Sequence, residues 1–325
     1  MWKSGFRRKA LEIGLYLDQQ WRRSARTLRL CWTLTPFALA LALGGPRQAS
    51  TEDHDWPKRV LITNDNGVDD AATLALARAF ARFSDVVLVA PAEDRSGTSN
   101  LMSFFRTRKF VAERRDVGEG VRAWALEGYP ADCVIFALVV PMADAPPDLV
   151  VSGINGGTNT ADAWFGSGTI GAARTAAFAG IPAIAVSGVD DSDPDAIDAV
   201  SDWVVRLARS EIMQGLRPPS YLTVSLPVVP PSQITGIDFV DRARGILGVT
   251  VQRDSTSTPG SAKEVWSVDL ALRGDPGSDS DVATVKRGHI AVVPMRIGDA
   301  DPELLAWLRS HAGRLPAWRP DSNHR

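Results

Sequence analysis

The spacing of apolar and polar residues changes character near residue 59. Arg59 to Thr63 (RVLIT) is a short apolar run ending in polar residues, and Asp85 to Ala90 (DVVLVA) is another. Between them Leu76, Phe80 and Phe83 recur at helical spacing, which predicts a helix over Ala71 to Phe83 and hence a β-α-β unit. A third run, Asp148 to Ser152 (DLVVS), enters a Gly-rich loop from Gly153 to Gly168. A small-residue helix over Thr169 to Ala179 follows, and then a fourth run, Ala183 to Ser187. This alternation predicts an α/β fold with a mostly parallel sheet between two helical layers, in which ligands sit beyond the carboxyl ends of the strands. Past Arg206 the pattern thins. Tyr221 to Leu226 and His289 to Pro294 read as strands, while Asp254 to Ala262 and Gly274 to Asp281 are loop-like, so a β-rich C-terminal extension is expected on the core.

The first fifty residues are of a different kind. Met1 to Arg29 is rich in Arg and Lys, Leu30 to Gly45 is apolar and nearly uncharged, and Pro46 to Ser50 is mostly small residues, the order of an export signal. The apolar run is shorter than the roughly 20 residues a membrane-spanning helix needs, and it contains Pro36. Three readings compete: an export signal with a later true start, an uncleaved membrane anchor, and an extension of a cytoplasmic enzyme. The pattern favours export. The expected divisions are 1–52 as this extension, 53–310 as the catalytic domain and 311–325 as a tail.

Composition narrows the chemistry. A chain of 325 residues, 45% hydrophobic and 23% charged, has room for one large α/β domain or two smaller ones. A net charge of -2 gives no electrostatic reason to expect a polymeric nucleic acid as partner. Two cysteines, Cys31 and Cys133, cannot build a disulfide framework or a cysteine zinc site, and Cys133 reads as a core residue. Of the four histidines, His54, His311 and His324 lie towards the ends and His289 reads as structural, which leaves no candidate for a histidine relay.

Three strand ends carry hard oxygen donors: Thr63-Asn64-Asp65-Asn66-Gly67, Pro91-Ala92-Glu93-Asp94-Arg95-Ser96-Gly97, and Ser152-Gly153-Ile154-Asn155-Gly156-Gly157-Thr158-Asn159. If those strands are neighbours, Asp65, Asn66, Ser96 and Asn155 converge on one cation, and an all-oxygen set suits Mg²⁺, Mn²⁺ or Ca²⁺. Singly, each is also an ordinary turn or cap residue. Ser167-Gly168-Thr169 opens a helix whose free N–H groups favour an anion, and Asn159 adds an amide donor, so a phosphate site would face the metal. The plainer alternative is a Ser/Thr helix cap. Gly166 to Gly171 also spells G-x-G-x-x-G, with Asp190 about 20 residues on, as a dinucleotide site requires. Yet Asn159 to Phe165 before it lacks the required strand. An EF-hand reading of Asp65 to Asp70 fails because its glycine falls too early.

The strings Leu61 to Val68, Val89-Ala90-Pro91 with Arg95 to Asn100, Val151 to Asn159, and Ser167-Gly168-Thr169 resemble, in order, the motifs of the SurE survival-protein nucleotidases. The likeness extends through Gly128 to Cys133, Gly180 to Ser187, Leu226-Pro227 and Gly288 to Pro294, and spans about Arg59 to Leu308. The resemblance implies a Rossmann-like three-layer sandwich, a homodimer or homotetramer, and hydrolysis of nucleoside 5'- and 3'-monophosphates dependent on Mg²⁺ or Mn²⁺. Some members also act on short polyphosphate. Carried over by position, it places the metal on Asp65, Asn66, Ser96 and Asn155, with Asp65 and Asn66 catalytic, and the phosphate on Asn159, Ser167, Gly168 and Thr169.

The chain departs from the family where a second aspartate is replaced by Asn66, which keeps an oxygen but removes a charge. Weaker metal binding is expected, and a nucleotide-binding protein of reduced turnover is an alternative. Asp69 and Asp70 follow where a His-Ala-Pro-Gly run is usual. They either restore the charge or simply start a helix. A glutamate usual in the next helix is Thr175 here, beside Arg174.

Overall fold

The computed structural model describes residues 56–245, 247–256 and 262–298, with 306, 307, 309 and 310. The N-terminal extension at 1–52 and the tail at 311–325 lie outside the described residues. Among the described residues, no helix is long and apolar enough to cross a membrane.

In chain order the elements are β1 (Arg59–Thr63), α1 (Ala71–Ala81), β2 (Asp85–Pro91), α2 (Phe104–Thr107), β3 (Ala112–Arg115), β4 (Val121–Leu126), α3 (Pro130–Val139), β5 (Leu149–Asn155), α4 (Gly168–Phe178), β6 (Ala183–Ser187), α5 (Pro194–Ala208), α6 (Glu211–Gly215), β7 (Ser220–Ser225), β8 (Gly236–Phe239), β9 (Leu247–Arg253), β10 (Trp266–Leu272), α7 (Asp281–Lys286) and β11 (His289–Arg296). Nine strands form one sheet in the order β3-β4-β2-β1-β5-β6-β7-β11-β8. From β4 through β7 every neighbouring pair is parallel, and β3 and β11 run antiparallel to β4 and β7.

Strands buried on both faces explain why the runs near β1, β2 and β6 are continuously apolar rather than alternating. Val60, Ile62, Val86 and Leu88 pack on one face with Leu76 and Phe80 of α1 and Val200 and Val204 of α5. Leu61, Val87, Val89 and Val150 face the other way, against Cys133 and Val134 of α3 and Ile170 and Ala173 of α4. This is the three-layer sandwich expected. Leu76 and Phe80 have almost no exposed surface, and each burial of that size contributes about 1.5–3 kcal/mol.

Three expectations are corrected. The helix predicted to reach Phe83 ends at Ala81, and Phe83 is half exposed between the guanidinium groups of Arg82 and Arg209. Most of the β-rich second half is no appendage: among the described residues β7, β11 and β8 continue the main sheet, and β9 and β10 form a separate two-stranded ribbon. The stretch after Gly274 is loop only as far as Ser280, which caps α7 by accepting from the N–H of Ala283. Cys133 is fully buried, as expected, and burial pushes its thiol well above the ordinary range.

Candidate active site

Because β2, β1 and β5 are adjacent, the three oxygen-rich loops leave the sheet side by side at their carboxyl ends. The chain winds outward from β1 to β2 and later returns to its other side at β5. That reversal opens the crevice where such folds bind ligands.

Asp65 lies just past β1 and is almost wholly buried. Its carboxylate meets the first turn of α4: Thr169 Oγ1 donates to Asp65 Oδ1 at 2.5 Å, and the Thr169 backbone N–H also donates to the carboxylate. Gly168 is obligatory there, since a Cβ on it would stand 2.8 Å from Asp65 Cβ and 2.9 Å from Oδ2. Burial raises the Asp65 pKa above its ordinary value, the two bonds from Thr169 oppose that rise, and repulsion from Asp94 adds a little to it. The backbone carbonyl of Asp65 accepts from the N–H of Arg95 at 2.7 Å, which fastens the loop after β2 to the end of β1.

Ser96, the next residue, is exposed and donates its hydroxyl to Asp94 Oδ1 at 2.7 Å. The hydroxyl and N–H of Ser96 hold the Asp94 carboxyl below its usual range. Asn66 is half-buried, and its Nδ2 donates to Asp70 Oδ1 at 3.2 Å. Asn155 ends β5 after a register shift at Ser152. Its backbone carbonyl accepts from Gly188 N at 2.9 Å and its Nδ2 donates to Gly157 O at 2.6 Å, so the side-chain oxygen is the donor atom left to it. The bulge needs Gly153, whose φ is +135° and where a Cβ would stand 2.4 Å from the Val186 carbonyl.

Asn159 anchors its N–H on Ser187 Oγ at 3.2 Å, and its Nδ2 is buried with no partner. A buried amide donor left idle is costly unless a ligand completes it. Ser167 is the N-cap of α4 and accepts from the N–H of Ile170 at 3.1 Å, a role that leaves its own hydroxyl proton free to donate. Thr169, expected among the phosphate contacts, gives its hydroxyl and N–H to Asp65.

The segment before Gly166, Ala161–Phe165, is a short 3-10 helix, so the glycine pattern there lacks the strand of a dinucleotide site. Asn100 ties the loop after β2 to α4, its Nδ2 donating to the Gly171 carbonyl at 2.8 Å and to Thr175 Oγ1 at 2.7 Å, while its Oδ1 accepts from Arg174 at 2.7 Å. These links, the Arg95 clamp and the influence of Asp94 on Asp65 depend on three-dimensional approach, and no motif announces them.

Residues 60–247 match the family described as survival protein SurE. The chain belongs to the SurE family. It is 32% identical over 258 residues to 5'-nucleotidase SurE 1 of Burkholderia lata, covering 78% of this chain and 96% of that one. It is 33% identical over 237 residues to 5'-nucleotidase SurE of Syntrophobacter fumaroxidans, covering 73% and 92%. The crystal structure of the SurE protein from Aquifex aeolicus superimposes with a TM-score of 0.65 at 24% identity, over 78% of this chain and 99% of that chain. The SurE fold accounts for the described sheet and its helical layers.

Proposed function

We propose that this SurE chain hydrolyses nucleoside monophosphates to nucleoside and phosphate, with Mg²⁺ or Mn²⁺ held by Asp65, Asn66, Ser96 and Asn155. The observation that carries the reading is that three adjacent strand ends carry the buried carboxylate of Asp65 with Asn66, Ser96 and Asn155, while the buried Asn159 Nδ2 is left without a partner. The relatives' names support the reaction class. The donor set fits a hard dication, being all oxygen. When bound, such an ion supplies charge neutralisation on the phosphate and a more acidic water.

The protein's own groups do the rest. The two bonds from Thr169 favour the carboxylate form of Asp65 against the burial that raises its pKa. Asn159 Nδ2, the Ser167 hydroxyl and the Gly168 N–H at the α4 terminus are the donors to the phosphate oxygens, and they stabilise the charge that gathers there in the transition state. Pre-set donors of this kind need no reorganisation as the phosphorus–oxygen bond breaks.

The catalytic unit is the span 53–310, and it assembles as a homodimer or homotetramer. On one side of the β9–β10 ribbon, Val251 pairs with Val268 and Val249 with Leu270, and all four side chains are about three-fifths exposed. A stripe of that kind on an unpaired ribbon suits a second copy of the chain.

Phosphate release from AMP, GMP and p-nitrophenyl phosphate tests the substrate class. Nucleotides turned over well above p-nitrophenyl phosphate are expected, and the reverse order would remove the nucleoside from the reading. A second reading, nucleotide binding with little turnover, is favoured by Asn66 alone. Nucleotide binding without phosphate release would establish it.

A further inference from the structure

Only Asp65 brings a negative charge to the proposed donor set, so how the neutral Asn66 presents its amide matters. An amide offers oxygen on one side and NH₂ on the other, and the two are exchanged by a half-turn of the side chain. A cation gains from the first and is repelled by the second.

The surroundings choose between them. Asn66 Nδ2 donates to Asp70 Oδ1 at 3.2 Å. Asp70 is itself immobilised as the N-cap of α1: its Oδ2 accepts from the Thr73 N–H at 2.9 Å and from Thr73 Oγ1 at 2.7 Å. Thr73 is fully buried and its hydroxyl also contacts Asn64 Nδ2 at 2.5 Å and the Gly153 carbonyl at 3.2 Å. The network therefore runs from Asn66 into the helix cap and on to the β5 bulge. Asp69, by contrast, is exposed.

We infer that Asp70 is a positioning residue for Asn66: by accepting from the amide NH₂, it turns the Asn66 oxygen into the site and lets a neutral side chain serve as an oxygen ligand. The inference rests on the reading of Asn66 as a metal ligand. It differs from a simple replacement of charge, because Asp70 acts through the orientation of its neighbour. Hydrogen-bond partners of metal ligands commonly change metal affinity by about 10–100-fold when removed.

Asp70→Asn is the informative change. Asparagine caps a helix about as well as aspartate, so the fold should hold. Its single oxygen is taken by the Thr73 N–H, and its NH₂ then faces the Asn66 NH₂ and drives the Asn66 amide to flip. Asp70→Ser, a cap with no second acceptor, is the companion variant.

Mn²⁺ binding to the metal-free full chain, followed by the loss of the free-ion electron paramagnetic resonance signal, gives the readout. Both Asp70 variants should bind Mn²⁺ about tenfold or more weakly than the parent. In an Asn66→Asp background, where both ligand oxygens are alike, the same changes should cost nothing or improve binding. Equal weakening in both backgrounds, or none in either, would overturn the inference. An Asp65→Ala control separates the two levels: if it abolishes binding while Asp70→Asn is silent, only the inference fails. If the parent takes up no Mn²⁺, the metal site and the inference fail together.

Discussion

Thr169 Oγ1 donates to Asp65 Oδ1 at 2.5 Å, across 104 residues of sequence. That bond joins the end of the first strand to the first turn of α4, so the negative end of the proposed site and its phosphate donors share one rigid junction. It also opposes burial, which raises the Asp65 pKa and favours the neutral acid.

Replacing Thr169 by valine keeps the shape and removes the hydroxyl. A hydrogen bond to a charged group is worth about 1.5–3 kcal/mol, or about tenfold or more in binding or rate. The Asp65 pKa should rise further, so the acid limb of kcat/KM moves to higher pH and activity recovers as pH is raised. An acid limb identical to the parent's would show that the bond does not tune Asp65.

The raised pKa of Asp65 also has a sign for stability. A carboxyl whose folded pKa lies above its unfolded value contributes stability below the unfolded pKa, and that contribution is lost as pH rises through the folded pKa. Above the folded pKa the ionised Asp65 therefore costs the metal-free protein stability. Asp65→Asn should unfold at a higher temperature than the metal-free parent at pH 7, with the gap narrowing towards pH 4. A lower unfolding temperature at pH 7 would contradict the balance described.

Asn159→Ala separates function from folding. Its Nδ2 has no partner, so its removal should leave the unfolding temperature unchanged or slightly raised. Loss of one pre-set donor to a transition-state oxygen commonly costs about 10²–10³ in kcat. A variant with normal kcat would remove Asn159 from the phosphate site.

Gly171→Ala tests the coupling of α4 to the loop that carries Ser96. A Cβ there would stand 2.0 Å from the Ser99 carbonyl, so the loop or the helix must shift. Overpacking of this kind costs about 1–3 kcal/mol. Stability and phosphatase activity should fall together, and unchanged values for both would show that the contact yields freely.

Much of this was legible in the chain. Strands buried on both faces announce themselves as continuous apolar runs, and the runs at β1, β2 and β6 lie within a residue of the observed strands. Asp65, Asn66, Ser96 and Asn155 could be grouped because each follows such a run. By contrast, β3 is an exposed edge strand (AERR) and β8 a short one (GIDF), and neither carries the apolar signal of a buried strand. Phe83 has helical spacing, yet the helix ends at Ala81 with Arg82 as its cap, and Phe83 stays half exposed with the Arg82 and Arg209 guanidinium groups over its ring. The Asp65–Thr169 and Asn66–Asp70 bonds were beyond sequence reasoning, because a residue's type does not reveal which way its side chain turns.

The most direct test of the central claim is phosphate release from AMP by the full chain with Mg²⁺, Mn²⁺ or EDTA, run beside Asp65→Ala and Asn66→Asp. The account predicts release that needs the metal, vanishes in Asp65→Ala and is kept or increased in Asn66→Asp. Release that persists in EDTA, or in Asp65→Ala, would contradict it.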